Sequence, residues 1–284
     1  MKKWLSFILA LAVALVLAAC GNSDKASTGG EGGKEGKEEG KKELVVGASN
    51  VPHAEILEKA KPLLAEKGID LKIETFQDYV LPNKALDDKE LDANYFQHIP
   101  YLEAQKKEHG YDFVNAGGIH IEPIGVYSKK YKSLDELPEG AHIIISNSVA
   151  DHGRILSMLE KEGLITLKEG VNKTEATIED IVDNPKKLKF DAEYEPSLLP
   201  QIFNNGEGDA VLINSNYAID AGLNPIEDSI AIEDKDSPYV NIIAVRKGDE
   251  NKEEIKTLVE VLHSKEIQDF ILEKYKGAVV PVSE

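Results

Sequence analysis

Short apolar runs and segments of helical periodicity alternate along the first half of the chain. Residues 43–48 form an apolar run with β-branched side chains, and residues 71–75 alternate between apolar and polar positions. Both patterns predict strands. Between them, the apolar positions of residues 54–67 fall on one face of a helix, which Gly68 is suited to end. Pro62 lies inside this helix and is expected to kink or split it.

The same alternation continues through the second half. Strands are predicted over residues 143–146, 188–192 and 210–213, and helices over residues 100–109, 154–162, 253–263 and 265–275. Residues 121–127 and 239–245 are extended, and we interpret them as two strands that cross between two lobes. The order strand–helix–strand predicts an α/β fold with a largely parallel sheet in the first lobe.

The size of the folded body, residues 43–284, also favours two lobes, because it is large for a single core. We assign residues 43–124 plus 241–284 to the first lobe and residues 125–240 to the second. The last two predicted helices are expected to pack back on the first lobe.

The N-terminus has the pattern of an export signal. A short positive segment precedes an apolar run that is too short for a typical membrane span, and small residues lead directly to Cys20. This predicts a lipoprotein signal peptide over residues 1–19, with Cys20 as the lipid-modified first residue of the mature chain. The alternative is an uncleaved signal anchor with a chance cysteine. Residues 20–42 continue as a glycine-rich, charged linker that cannot form a core.

The composition narrows the function. The net charge of −18 at pH 7 disfavours binding to nucleic acid or to an anionic membrane surface. The single cysteine excludes an internal disulfide. The sequence contains no nucleophile elbow, no phosphate-binding glycine loop and no histidines paired at metal-ligand spacing. We therefore predict no enzymatic activity, cofactor or metal site.

Aromatic residues make up 6% of the chain and concentrate between residues 75 and 101. This stretch contains Tyr79, Phe96, His98 and Tyr101. Apolar rings beside a few polar groups are typical of a small-ligand pocket. Aromatic rings fill protein cores just as often, so both interpretations stay open on these residues alone.

Arg154 is the most informative single residue, because the chain contains only one other arginine, Arg246, among 33 lysines and arginines. A guanidinium fork grips a carboxylate through two hydrogen bonds, and Arg154 lies near the start of a predicted helix, where backbone N–H groups favour an anion. We interpret Arg154 as a clamp for a ligand carboxylate, with a structural ion pair as the alternative. Asn214 follows a predicted strand and Asn241 lies inside one, where a ligand could satisfy its amide.

Four segments resemble the MetQ/NlpA family of methionine-binding lipoproteins, the substrate-binding components of a methionine ABC transporter. They are FQDYVLPNKALDDKELDANYFQHIPYL from residue 76, PHAEIL from residue 52, NSNYAI from residue 214 and KDSPYVN from residue 235. The resemblance covers essentially the whole folded body. It implies a two-lobed periplasmic-binding-protein fold, type II-like, that closes on one ligand between the lobes.

The resemblance also implies a site and partners. Seven residues match positions around the ligand in this family: Tyr79, Phe96, His98, Tyr101, Arg154, Asn214 and Asn241. The aromatic residues and the histidine match the surroundings of the methionine side chain, the arginine matches the carboxylate-binding residue, and the asparagines match those that hold the ligand's polar end. The implied partners are a membrane permease and its ATPase, with a monomeric body held by lipid on the outer face of the cell membrane.

Two segments depart from the family pattern. Asp151 stands where asparagine is common, and residues 193–201 differ from the usual sequence. Either change could alter the ligand, so D-methionine, a methionine-containing dipeptide or another amino acid stay open beside L-methionine. A surface lipoprotein that serves adhesion or host contact is the alternative from a different class.

Overall fold

The computed structural model describes residues 41–282; the predicted signal peptide, Cys20 and nearly all of the linker lie outside this part of the chain. The strands are, in chain order, β1 (Lys42–Ser49), β2 (Ile69–Phe76), β3 (Ala93–His98), β4 (Phe113–Ile121), β5 (Gly125–Tyr127), β6 (His142–Ser146), β7 (Thr166–Leu167), β8 (Ile181–Asp183), β9 (Lys189–Tyr194), β10 (Ala210–Ile213), β11 (Ala231–Ile232), β12 (Val240–Arg246) and β13 (Val280–Pro281). The α-helices are α1 (Glu55–Glu66), α2 (Leu81–Asp87), α3 (Ile99–His109), α4 (Val149–Lys161), α5 (Leu199–Asn204), α6 (Ser215–Asp220), α7 (Glu253–Leu262) and α8 (Lys265–Tyr275). None of the described helices is long and apolar enough to cross a membrane.

The first sheet has six strands in the order β13-β4-β12-β3-β1-β2. Only β1, β2 and β3 pair in parallel, whereas β12 runs antiparallel to both β3 and β4, and β13 runs antiparallel to β4. The prediction of a largely parallel sheet is therefore wrong. Parallel pairing needs a crossover such as α1, but β12 enters directly from the second sheet and needs none.

The second sheet has five strands in the order β11-β5-β10-β6-β9. Its centre is parallel, with β6 between β9 and β10, and β5 and β11 add an antiparallel edge. The chain leaves the first sheet at the end of β4, passes through residues 122–124 and enters the second sheet at β5. It returns through residues 233–239 to β12. The first predicted crossing segment, residues 121–127, spans one of these connections, whereas the second, residues 239–245, begins at the end of the other and lies almost entirely in β12.

Each sheet carries its own apolar core. In the first, α1, α7 and α8 pack through residues such as Leu57, Leu258 and Ile271, so the two C-terminal helices return to the first sheet as predicted. In the second, Ile155 of α4 packs with Ile143 and other strand residues. The burial of these helices explains their amphipathic pattern.

Two local predictions are refined by the structure. Of the two outcomes expected at Pro62, the split does not occur, because α1 continues through this residue; the side chain lies on the exposed face, where water can satisfy the carbonyl that loses its backbone partner. Helix α4 begins at Val149, five residues before the predicted start. Asp151 and Arg154 therefore lie on the same helix, three residues apart and on one face.

Candidate functional site

A small cavity lies where the two sheets face each other. It is lined by Tyr79, Phe96, Gln97, His98, Tyr101, Glu122, Asp151, Arg154, Asn214, Asn216 and Asn241. All seven residues singled out from the sequence are among them. The free space between these side chains is about 20 Å³, which is room for about one water molecule. The lining side chains thus pack closely against one another.

The apolar wall of the cavity is built from Tyr79, Phe96 and Tyr101, together with Ala150 of α4. The ring centroid of Tyr79 lies 6.0 Å from that of Phe96 and 5.9 Å from that of Tyr101. The Tyr101 hydroxyl donates to the backbone oxygen of Tyr79 at 2.8 Å, and the Tyr79 hydroxyl donates to Oδ1 of Asn216 at 2.7 Å. The last bond joins the first-sheet side of the cavity to the second.

His98 holds its place at the end of β3 by capping α3. Its Nδ1 accepts from the backbone N–H of Tyr101 at 3.1 Å. Nδ1 therefore carries no proton, and the proton lies on Nε2, which donates to Oδ1 of Asp151 at 3.1 Å. His98 thus spans the cavity from the first sheet to α4.

Arg154 is engaged by protein groups in this structure. Its Nε donates to Oε2 of Glu233 at 2.9 Å and its Nη2 donates to the same carboxylate and, at 2.6 Å, to the backbone oxygen of Glu122. Nη1 approaches Oδ1 of Asp151 at 3.5 Å. Burial opposes the charge on Arg154, but Glu233 and Asp151 outweigh it and raise the pKa of Arg154 above its ordinary value. The structural ion pair, posed from the sequence as the alternative, is thus present in this structure, and the ligand clamp stays a prediction.

The carboxyl group of Asp151 is a buried anion. Burial alone would raise its pKa, but the hydrogen bond from His98, the charge of Arg154 and the hydrogen bond from Asn214 hold that pKa well below its usual range. Nδ2 of Asn214 donates to Oδ2 of Asp151 at 3.1 Å. This orientation leaves Oδ1 of Asn214 buried without a hydrogen-bond partner among the described residues.

A second buried polar cluster lies behind the cavity. Nε2 of His53 lies 3.0 Å from Oδ1 of Asn241 and 3.2 Å from Oε1 of Glu122, and Nε2 of His120 lies 2.7 Å from the same Glu122 oxygen. Burial lowers the pKa of His53 to about 4 and that of His120 to about 3, so both imidazoles are neutral at pH 7. Burial raises the pKa of Glu122, an effect opposed by nearby His53 and Arg154.

Within the described part of the chain, this cluster is the one group of three potential metal ligands that lie close together. The ligand atoms of His53, His120 and Glu122 lie within 4.8 Å of one another. No sequence motif marks this grouping, because His53 and His120 are far apart in the chain. Nε2 of His120 is hydrogen-bonded to Glu122 and Nε2 of His53 to Asn241, so both nitrogens have partners without a metal ion.

Several lining residues escaped the sequence analysis as ligand candidates. Gln97, Glu122 and Asn216 fall in this group. Tyr239, which is not among the lining residues, packs next to them: its ring centroid lies 4.8 Å from Cζ of Arg154 and 5.0 Å from the centroid of the His98 ring. Glu122 could have been recognised from the sequence, because it is a charged residue inside an apolar segment that begins at Ile121. A buried carboxylate needs partners, and that need predicts a polar cluster.

Arg154 also lines a larger cavity of about 550 Å³, together with other residues of α4 and of the segment 232–239. Most of its polar lining consists of charged surface side chains such as Lys161 and Glu162. We favour the smaller cavity as the functional site, because buried and convergent polar groups beside an apolar wall are what fixes a small ligand.

Comparison with known proteins is consistent with this geometry. The model of the NlpA lipoprotein family matches residues 44–283. The chain belongs to the NlpA lipoprotein family. It is 55% identical, over the full length of both chains, to the methionine-binding lipoprotein MetQ of Bacillus subtilis. It is 39% identical to the D-methionine-binding lipoprotein MetQ of Salmonella typhi, over 98% of this chain and 97% of the relative.

A solved structure of the same family contains a ligand. The nutrient-binding protein from Burkholderia cenocepacia bound to methionine is 42% identical and superposes with a TM-score of 0.80, covering 84% of this chain and 100% of that one. The two-lobed binding-protein fold expected from the sequence is thereby confirmed.

Proposed function

We propose that the protein is the extracytoplasmic substrate-binding lipoprotein of an ABC importer and that it binds methionine, most favourably L-methionine, between its two lobes. The observation that carries the proposal is the convergence of an aromatic wall with buried charged and amide groups in one closed cavity. Family membership supports the transport role. The relatives named for methionine binding support the ligand.

The aromatic wall suits the methionine side chain. A thioether is soft and polarizable, and it packs favourably against aromatic rings. Tyr79, Phe96 and Tyr101 present such rings side by side. The hydroxyl groups of both tyrosines are held by other protein groups, so the ring faces and edges stay available to an apolar ligand.

The polar lining suits a zwitterion. We assign Arg154 and Asn241 to the carboxylate, because both can present N–H donors to it. Asn214 is assigned to the ammonium group, because its Oδ1 is a buried acceptor without a partner in the described part of the chain. The carboxylates of Asp151, Glu122 and Glu233 surround a single guanidinium, so a cationic ammonium reduces the charge imbalance.

Ligand entry requires the lobes to separate. The space between the side chains admits about one water molecule, and the hydrogen bonds His98–Asp151 and Tyr79–Asn216 hold the two sides of the cavity together. We assign residues 43–124 plus 241–284 to one lobe and residues 125–240 to the other. The two connections, residues 122–124 and 233–239, supply the hinge that opening needs.

Delivery to a transporter completes the proposal. The lipid on Cys20 would hold the protein on the outer face of the cell membrane, and the linker over residues 20–42 would let the body reach a permease that is driven by an ATPase. A lipid-anchored binding protein stays near its transporter without any affinity of its acidic surface for the membrane.

Calorimetric titration of residues 21–284 with L-methionine tests the proposal, after the protein has been unfolded and refolded to remove any ligand carried through purification. One-to-one binding of L-methionine is the expected result. Tighter binding of D-methionine, which the name of the Salmonella relative makes the first alternative, would change the ligand within the same function. The absence of binding by L- and D-methionine, by methionine dipeptides and by other amino acids would overturn the proposal in favour of an adhesion lipoprotein.

A further inference from the structure

The buried histidine His53 does not line the cavity, yet it contacts a residue that does. It lies in the turn before α1 with its side chain 1% exposed, and its ring packs edge-on against Tyr95 at a centroid distance of 4.7 Å. Its Nε2 points at Oδ1 of Asn241, 3.0 Å away, and at Oε1 of Glu122, 3.2 Å away. Any effect of His53 on the cavity must therefore act through its contact with Asn241.

The position of the proton on His53 follows from the surroundings of its two ring nitrogens. Nδ1 is buried without a partner in the described part of the chain, so a proton there would lack an acceptor. Nε2 lies 3.2 Å from Oε1 of Glu122, an acceptor that also takes part in a hydrogen bond with Nε2 of His120 at 2.7 Å. The neutral ring of His53 therefore carries its proton on Nε2.

The orientation of Asn241 follows from His53. A donor on Nε2 needs an acceptor at 3.0 Å, so the amide oxygen of Asn241 faces His53. The backbone of Asn241 is fixed in β12 between β3 and β4, opposite His98 and His120. The two ends of an amide have nearly the same shape, so packing alone does not select the orientation, and the hydrogen bond to His53 does.

We propose that His53 is a positioning residue that turns the N–H₂ group of Asn241 towards the ligand and thereby makes the pocket select ligands with a free carboxylate. This inference rests on the proposed function. Nδ2 of Asn241 then presents two donors and no acceptor to the cavity that Asn241 lines with Arg154. A carboxylate accepts from both donors. A carboxamide or an alcohol at the same place brings hydrogens of its own, which meet those of Asn241 unless the ligand turns its oxygen towards them.

The test compares L-methionine with L-methioninamide, which keeps the ammonium and the thioether but lacks the carboxylate. Calorimetry gives the ratio of the two dissociation constants for the wild type, His53→Gln and His53→Leu. Glutamine keeps an N–H donor near the place of Nε2, and leucine has none. The matched control is His263→Leu, the same change at a half-buried histidine whose Nε2 donates to the backbone of Gly118 outside the cavity.

We expect His53→Leu to weaken L-methionine binding by roughly tenfold or more, the effect of one hydrogen bond to a charged group. The preference for L-methionine over the amide should fall by about the same factor, whereas His53→Gln and His263→Leu should keep the wild-type preference. An equal loss for both ligands in His53→Leu would mean a structural role only and would overturn the inference. If the wild type bound neither ligand, the proposed function would fail first, and the inference with it.

A second variant keeps the inference testable if His53→Leu does not fold. Asn241→Asp has nearly the same shape, and the N–H of His53 would hold one of its oxygens, so the other would face the ligand. The inference predicts that this variant loses far more affinity for L-methionine than for L-methioninamide, because an acceptor replaces a donor opposite the carboxylate. An equal or smaller loss for L-methionine would overturn it.

Discussion

Replacing Arg154 by lysine keeps the positive charge and removes the planar fork, so it isolates what the fork contributes. In the wild type the guanidinium uses Nε and Nη2 on Glu233 and also reaches the backbone oxygen of Glu122 at 2.6 Å. A lysine ammonium is a single point of contact and can serve only part of this set. The site is buried, with the arginine side chain 3% exposed, so solvent cannot replace the lost partners.

The magnitudes follow from the bonds lost. A hydrogen bond to a charged group contributes about 1.5–3 kcal/mol, so losing one or two of those to Glu233 and Glu122 should lower the free energy of unfolding by roughly 2–5 kcal/mol. If Arg154 also binds the ligand carboxylate, the loss of one such hydrogen bond lowers the affinity for L-methionine by about 10- to 150-fold. Urea denaturation measures the first effect and calorimetric titration at a temperature where the variant is folded measures the second.

The only other arginine provides the control. Arg246 also uses its fork, donating through Nη1 to the backbone oxygens of Leu86 at 2.7 Å and Leu91 at 2.6 Å, but it does not line the cavity. Arg246→Lys should therefore lower stability and leave ligand affinity unchanged. Affinity within about threefold of the wild type in folded Arg154→Lys would refute the clamp. A similar loss of affinity in both variants would show that reduced stability, and not the site, is responsible.

Three further predictions concern the packing, the titration and the closure of the site. Gly153→Ala should lower the free energy of unfolding by several kcal/mol, because the added Cβ would lie 2.2 Å from the backbone oxygen of Lys173; a melting temperature equal to that of the wild type would contradict this contact. The free energy of unfolding should fall as the pH drops from 6.5 towards 4, since the folded pKa is about 4 for His53 and about 3 for His120 and the unfolded chain, with its histidines near 6.5, takes up more protons. Each histidine lowers the free energy of unfolding by up to about 1.4 kcal/mol per pH unit, partly offset by proton uptake on folded Glu122, whose pKa is raised. Urea denaturation at pH 7, 6 and 5 should show that the unfolding free energy of His53→Gln depends less steeply on pH than that of the wild type. An unchanged pH dependence would count against a buried neutral His53. Tyr79→Phe removes the hydrogen bond from the tyrosine hydroxyl to Asn216 across the cavity. Calorimetry should show that the affinity for L-methionine falls by about 3- to 10-fold, the effect of one neutral hydrogen bond. An unchanged affinity would mean that this bond does not contribute to closure.

Local signals account for the elements that the sequence predicted well. Gly68 and Gly110 both adopt the left-handed backbone conformation after α1 and α3, with φ of 81° and 76°, and these glycines marked the helix ends. The start of α4 was missed although Ser148 stands three residues before Asp151, a spacing typical of a helix N-terminus; in the structure the Ser148 side chain makes no cap hydrogen bond. Gly153, a poor helix former, lies just before Arg154. That glycine is required by a contact with Lys173, which local sequence does not reveal.

The aromatic stretch shows how two competing interpretations can both apply. Adjacent residues of a strand point to opposite faces. Tyr95 is completely buried in the core of the first sheet, and Phe96 next to it belongs to the wall of the cavity. Which face is core depends on the sheet order, and the antiparallel placement of β12 is a long-range feature that no local pattern predicts.

The cluster behind the cavity lay beyond sequence reasoning for the same reason. His53 precedes α1, His120 and Glu122 lie at the end of β4, and Asn241 lies on β12. Strand register brings them together: Asn241 pairs with His120 across β12 and β4. Each histidine taken alone looked structural, and only their common neighbour Glu122 reveals a network.

Arg154 is bonded to both connections between the sheets, to Glu122 in the first and to Glu233 in the second. If opening keeps these bonds, α4 and the bonded parts of both connections move together. The hinge within the connections is then confined to their first-sheet ends, next to Ile121 and Val240, which are partners across β4 and β12. A methionine that leaves the opened protein would remain with the arginine's half of the molecule until last.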